Sequence, residues 1–476
     1  MTDDTLDYLP ATEAAARIRG KDLSPVELID AVLGRIEAVQ RELNAFITIP
    51  AERARAEAKA AERSVMNGDD LGPLHGVPFT VKDLINTQGV RTTFGSHAME
   101  NNVPDADAVC IARLRAAGAI LIGKTTTPEF GHKPMTEAPL FGRTLNPWDK
   151  TRTSGGSSGG AGVAAATGLG PLHVGTDGGG STRIPAAACG VVGMKQTLGV
   201  VPHDMTADVF GLMAFMGPIT RTVADCGLML DVMAGPHASD FHSLGRDVAD
   251  FAKAAMGEGD LKGLRIGWRP FLGNDRIDTE TRALFEAAVP AFADLGAILL
   301  DHTAAFSPTL PHWGPLTYSL WNARFGNLAE TLGARMSETL RFWMHEGEAT
   351  TGVEVQLATA ARTTLYREVE AWFDDIDLLV TPTLACPAIP ADHDPRDPIT
   401  INGETADGPR ASWYPYTHPF NLTGHPAITV PCGFTSAGLP VGLQIVGPWL
   451  ADDKVLHAAA CFERARPWAD KRPIAI

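Results

Sequence analysis

The chain has 476 residues, 45% of them hydrophobic and 20% charged. That is the balance of a globular protein with a large core, and it excludes a disordered or low-complexity chain. The net charge of −16, with no basic run to meet phosphates, argues against nucleic acid as the main partner. No run of about 18 apolar residues is present to span a membrane. The start, Met-Thr-Asp-Asp, lacks the cationic and apolar pattern of a secretion signal. Cys110, Cys189, Cys226, Cys386, Cys432 and Cys461 are far apart and form no C-x-x-C pair, so they read as reduced core thiols of a cytoplasmic protein.

In chain order, the first 66 residues read as helical. Ser24-Pro25-Val26-Glu27 is a capping box with proline at the first helical position, and Ile29, Val32, Ile36 and Val39 follow as an amphipathic stripe. An Ala/Glu/Arg-rich helix runs from Ala51 to Met66 and stops at Asn67-Gly68. Val77–Lys82 reads as a strand, Ala108–Ala117 as a helix halted by Gly118, and Ala119–Ile122 as a buried strand, a spacing that predicts an α/β core. Leu172–Thr176 is a strand leading into a glycine-rich turn. Asp278–Leu295 is read as one helix before a strand at Ile298–Leu300, and Val353–Phe373 as another. Asp377–Val380 and Ala427–Val430 are late strands, and Ala451–Arg464 is a closing helix. The polar stretch Pro390–Pro409 is expected to be a loop.

Three patterns match motifs whose physics they do not meet. Gly118–Thr125 fits the P-loop spacing, yet its four middle residues, Ala-Ile-Leu-Ile, are themselves the strand. Gly160–Ala165 fits a loose dinucleotide fingerprint without a preceding strand. Gly155-Gly-Ser157-Ser-Gly159 fits a nucleophile elbow, but a polar loop precedes it where a strand is required; that reading stays as a minor alternative. Fourteen histidines give neither H-E-x-x-H nor a close trio with metal-ligand spacing.

Two clusters remain. Ser154–Gly160 is a run of serines and glycines that is either a flexible linker or the entry to a buried helix. Gly175-Thr-Asp-Gly-Gly-Gly-Ser181-Thr-Arg183 leaves a strand at its carboxyl end, where α/β sheets place their sites. Its three glycines let successive N–H groups converge on one point, an anion nest that beside a nucleophile becomes an oxyanion hole; the alternative is an ordinary strand-to-helix turn.

Together with Leu74-His-Gly-Val-Pro-Phe-Thr-Val-Lys-Asp83, Gly123–Gly131, Gly217–Arg221 and Gly438–Gln444, these clusters resemble the amidase signature family over nearly the whole chain. The resemblance implies an α/β fold: a single α/β/α domain with a large mixed β-sheet over residues 67–476, and residues 1–66 as a helical segment packed on it. It implies Lys82 as base, Ser157 as bridging serine on a cis peptide bond, and Ser181 as nucleophile. The N–H groups of Gly178, Gly179, Gly180 and Ser181 fall on the family's oxyanion hole, and Ser158, Asp177 and Arg183 are expected to hold the loops. Gly178 and Thr182 depart from the residues common in the family.

The residue types make chemical sense on their own. A serine hydroxyl needs a base to take its proton, and a second serine, which both donates and accepts, can relay it to a lysine. That lysine must shed a proton held with a pKa of about 10.4 in water. The expected function is hydrolysis of the C–N bond of apolar or aryl carboxamides through an acyl-enzyme, with esters and carbamates (urethanes) in chemical reach and no cofactor. The alternative is the glutaminase (A) subunit of a tRNA-dependent amidotransferase. The expected partner is a small-molecule amide or carbamate, with no nucleic acid and no membrane; a homodimer is compatible with the sequence. Phe210–Met216, His312–Trp321 and Trp413–Tyr416 are candidate walls of an apolar acyl site.

Overall fold

Apolar segments assemble into an eleven-stranded sheet in the computed structural model, which describes residues 6–246 and 248–473. From edge to edge the strands are Phe46–Thr48, Ile120–Thr125, Pro78–Lys82, Leu172–Asp177, Phe215–Thr220, Val192–Lys195, Ala427–Phe434, Pro440–Val446, Leu378–Pro382, Arg265–Trp268 and Ile298–Asp301. Pro78–Lys82 is parallel to both neighbours, whereas Leu172–Asp177 runs antiparallel to Phe215–Thr220, so the sheet is mixed. Every residue of Pro78–Lys82, Ile120–Thr125, Phe215–Thr220 and Pro440–Val446 is buried. Side chains alternate between faces along a strand, so helices and loops cover both sides.

The N-terminal helices form for the reasons read from the sequence. The Ser24 side chain accepts from the amides of Val26 and Glu27 at the head of the helix Pro25–Leu43, and the helix Ala51–Asn67 ends at Gly68 with φ +77°. Between them the structure adds a strand, Phe46–Thr48, antiparallel to the edge of the main sheet. Three residues are too few to carry a readable period. The amides of Ala11 and Thr12 donate to the carboxylate of Asp225, both at 3.0 Å, tying this segment to the core helix Val223–Met233.

Several expectations are corrected. The helix read through Asp278–Leu295 is two, Thr279–Ala288 and Pro290–Asp294, because Pro290 lacks the N–H that would continue the ladder. The expected loop at Pro390–Pro409 contains the hairpin Thr400–Ile401 with Glu404–Thr405, and Ile399, Ile401 and Ala406 enter a buried apolar cluster. A 23-residue helix, Leu310–Leu332, escapes the sequence reading, since Pro311, Gly314 and Pro315 interrupt its signal. Gly118–Thr125 ends in the strand Ile120–Thr125 and makes no phosphate loop.

The helix Gly159–Ala166 is buried at all eight positions and packs on the strands beneath it. A Cβ on Gly160 would stand 2.5 Å from the carbonyl oxygen of Ala45 and as close to the amide of Thr126. Both are backbone and cannot swing away, so Gly160→Ala should destabilise the protein by about 2–3 kcal/mol. Urea unfolding measures this, and an unchanged midpoint would show that the helix is not held this tightly against the sheet.

Candidate active site

Pro78–Lys82 and its parallel neighbour Leu172–Asp177 finish at the same edge of the sheet, with Thr80 and Val81 opposite His173 and Val174. Lys82 is the last residue of its strand and is fully buried. Its Nζ lies 2.6 Å from Ser157 Oγ, 2.9 Å from Ser158 Oγ and 2.8 Å from Thr176 Oγ1. All three partners are neutral hydroxyls. Burial holds the Lys82 pKa well below the ordinary lysine range, with the Asp177 carboxylate pulling weakly the other way. A neutral amine has a lone pair and can accept a proton from one of those hydroxyls.

The Ser/Gly run is not a linker: residues 154–160 are all buried. Thr136 Oγ1 donates to the Gly155 carbonyl and accepts from the Gly159 amide, clamping the run at both ends. The Gly156–Ser157 peptide bond is cis. The Ser158 amide donates to the Ser181 carbonyl at 3.2 Å, joining the two serine loops. The helix starts at Gly159, and no strand leads into Ser157, so the nucleophile-elbow geometry is missing.

Asp177 and Arg183 form a fully buried ion pair, with Nε 3.0 Å from Oδ2 and Nη2 3.0 Å from Oδ1. Burial would raise the Asp177 pKa, but the Arg183 charge and hydrogen bonds from Arg183 and Asn421 bring it to about 2. Arg183 also donates to Gln444 Oε1 at 2.7 Å and Asn421 Oδ1 at 2.8 Å. This network fixes the glycine loop. It also amends the expected oxyanion hole, because the Gly180 amide donates to Asp177 Oδ1 at 2.7 Å and is not available to a substrate. Gly180 sits at φ +118° with Thr417 packed against it, and Thr417 Oγ1 donates to the Gly179 carbonyl. The amides of Gly178, Gly179 and Ser181 have no acceptor among the described residues, and these three residues line a cavity.

That cavity, of about 260 Å³, is bordered by Ser157, Thr176 and Ser181. Lys82 lies behind it and meets it only through Ser157 and Thr176. The Ser181 side chain is partly exposed and has no hydrogen-bond partner among the described residues. Much of the wall is apolar, with Phe130 stacked on Phe325 at 4.1 Å and Met205, Met213 and Met216 nearby. No group of His, Cys, Asp and Glu side chains able to hold a metal occurs among the described residues.

Each candidate wall segment contributes in part. From Phe210–Met216, Leu212, Met213 and Met216 line the cavity, while Phe210 is 82% exposed. Trp313, Leu320 and Trp321 line it from the helix Leu310–Leu332, and Tyr414 from the third segment, whose Trp413 and Tyr416 are core residues. Sequence reading missed Phe94, Phe130, Phe325 and Arg410 on the wall, and Asn421 behind the ion pair. Phe130 and Gln444 had a signal, lying in the Gly123–Gly131 and Gly438–Gln444 stretches.

Comparison with known proteins agrees with this geometry. Residues 27–456 match the family model "Amidase". An acylamidase of Rhodococcus erythropolis is 42% identical, over 99% of this chain and 98% of that one. A glutamyl-tRNA(Gln) amidotransferase subunit of Roseiflexus sp. (strain RS-1) is 36% identical, over 98% of each chain. The crystal structure of a bacterial aryl acylamidase of the amidase signature family superposes with a TM-score of 0.90 at 32% identity, covering 97% of both chains. A 6-aminohexanoate cyclic dimer hydrolase complexed with substrate reaches 0.87 at 30%, over 98% of this chain and 99% of that one. An eleven-stranded mixed sheet, a buried lysine among serine hydroxyls and this run of relatives lead to one conclusion: the chain belongs to the amidase signature family and is an amidase, a hydrolase of amide C–N bonds.

Proposed function

We propose that Ser181 attacks the scissile carbonyl carbon of an apolar or aryl carboxamide, with Ser157 relaying its proton to neutral Lys82. The observation that carries this reading is Lys82 itself, fully buried against three hydroxyls with no carboxylate in contact. As the Ser181 Oγ–C bond forms, its proton moves to Ser157 Oγ and the Ser157 proton to Lys82 Nζ. The carbonyl oxygen gains negative charge and is met by the free amides of Gly178, Gly179 and Ser181. The C–N bond breaks as the nitrogen takes a proton back along the relay, and the amine leaves. Water then repeats the sequence on the acyl-enzyme, releasing the acid and restoring Ser181. The relay from Ser181 to Ser157 closes with substrate in place, as catalytic hydrogen bonds commonly do.

The cavity wall supports apolar acyl groups, with esters and carbamates as further substrates of the same acyl transfer. The amidotransferase-like reading draws on the 36% identical relative. A free glutamine, however, brings an α-ammonium, and the acidic residue on this wall, Asp208, is exposed and caps Phe210. The six cysteines, all unpaired and buried, fit a reducing compartment such as the cytoplasm.

Because burial lowers the Lys82 pKa, the neutral base becomes more populated as pH rises through that value, and kcat/KM should climb with pH to an alkaline optimum. Lys82→Arg keeps the charge but cannot lose its proton. It should fall by about 10²–10⁴-fold, as far as Lys82→Ala, whereas Ser157→Ala should fall less because water partly replaces the relay; an active Lys82→Arg would overturn the base assignment. A fluorophosphonate should label Ser181 on mass-spectrometric mapping, and labelling at Ser157 or Ser158 with Ser181 untouched would restore the elbow reading. Finally, aryl amides should be turned over faster than glutamine, and the reverse order would favour the glutaminase function.

A further inference from the structure

One side of the cavity does not fit an entirely apolar ligand. Arg410 lines it, half-buried, with its guanidinium carbon 4.1 Å from the centre of the Trp313 ring and 5.3 Å from that of Tyr414. It forms no hydrogen bond and no ion pair among the described residues. Other polar atoms on the same wall are equally unpartnered. Trp313 is 4% exposed and Thr317, one helical turn on, is 7% exposed; both line the cavity, and neither the indole Nε1 nor the Thr317 hydroxyl has a partner. The Tyr414 hydroxyl also lacks one among the described residues. Buried donors are seldom left unpaired without a ligand or water to meet them.

The position of this cluster is informative. A Cβ built on Gly179 would stand 2.9 Å from the Trp313 ring and 3.4 Å from Arg410 Nη1. The guanidinium therefore lies beside a glycine whose amide is free to meet the substrate's carbonyl oxygen. The acidic residue on the wall, Asp208, is exposed and accepts from the Phe210 amide, and Arg410 pairs with no carboxylate among the described residues.

From this juxtaposition we infer that the enzyme selects amides carrying a carboxylate a few bonds from the scissile carbonyl, with Arg410 as the specificity-determining residue and Trp313 and Tyr414 holding its guanidinium in place. A carboxylate presents two oxygens to the guanidinium fork, and partial exclusion of water strengthens the pair. The inference rests on the amide-hydrolase reading above and adds a substrate class to it.

The test compares matched pairs that differ only in the carboxylate. In the acyl arm, the mono-4-nitroanilide of glutaric acid is set against pentanoyl-4-nitroanilide. In the leaving-group arm, N-butyryl-3-aminobenzoate is set against butyranilide. In one arm the charged member should have a kcat/KM about 10- to 100-fold higher, the size expected of a charged hydrogen bond, and that arm locates the carboxylate. Arg410→Met should collapse the ratio at least about tenfold, and Arg410→Lys should keep part of it. A ratio near one in both arms of the natural enzyme would overturn the inference. So would a ratio unchanged in Arg410→Met, which is what a merely structural or general oxyanion-stabilising arginine would give. Should Arg410→Met fail to fold, calorimetry on the natural enzyme decides: 4-phenylbutyrate should bind at least about tenfold tighter than 4-phenylbutan-1-ol, and equal affinities would refute the inference. Absence of turnover of every anilide would fail the underlying reading instead, and the calorimetric comparison would still judge this one.

Discussion

The site depends on a lysine nitrogen buried without a counter-charge. Removing an ammonium from water costs several kcal/mol, and no negative charge touches Lys82 to offset that cost fully, since its hydrogen-bond partners are the hydroxyls of Ser157, Ser158 and Thr176. Burial therefore disfavours the charged form, which is what the proposed base role requires. Two other lysines are equally buried but differently held. Lys124 donates to Thr87 and Thr92 with Asp83 favouring its charge, which leaves its pKa at about 8. Lys195 lies 4.0 Å over the Phe215 ring, within the fields of Asp177 and Asp452. Lys82 differs from them in bordering the substrate cavity through one hydroxyl layer.

The second constraint is the Asp177–Arg183 pair. A buried ion pair contributes little net stability, so its value here is positional. Asp177 accepts from the amides of Gly180 and Thr182, and Arg183 reaches across to Gln444 and Asn421. The loop between them is thereby locked with the Gly178, Gly179 and Ser181 amides unspent. The proposed oxyanion hole needs its donors fixed before the charge develops.

Much of this arrangement was legible in the sequence, and the rest was not for identifiable reasons. Lys82, Ser157, Ser181 and the glycine loop stand in local patterns whose chemistry is specific to each residue type, and the strands leading to Lys82 and to the glycine loop, Pro78–Lys82 and Leu172–Asp177, match the runs Val77–Lys82 and Leu172–Thr176. The commitment of Gly180 to Asp177 was invisible, because it depends on the φ of one glycine in a turn. Arg410, Asn421 and Phe325 come to the site from segments remote in sequence, with no local spacing to mark them. The helix Leu310–Leu332 was hidden by its prolines, although it supplies Trp313 and Thr317 to the wall.

The most direct test of the account is a count of protons on Lys82 Nζ. Neutron diffraction from deuterium-exchanged crystals at the pH of maximal kcat/KM should show two deuterons on that nitrogen, with its lone pair directed at a serine or threonine hydroxyl. Three deuterons at Nζ would mean a resident ammonium, and Lys82 would then be a fixed positive charge and not the base.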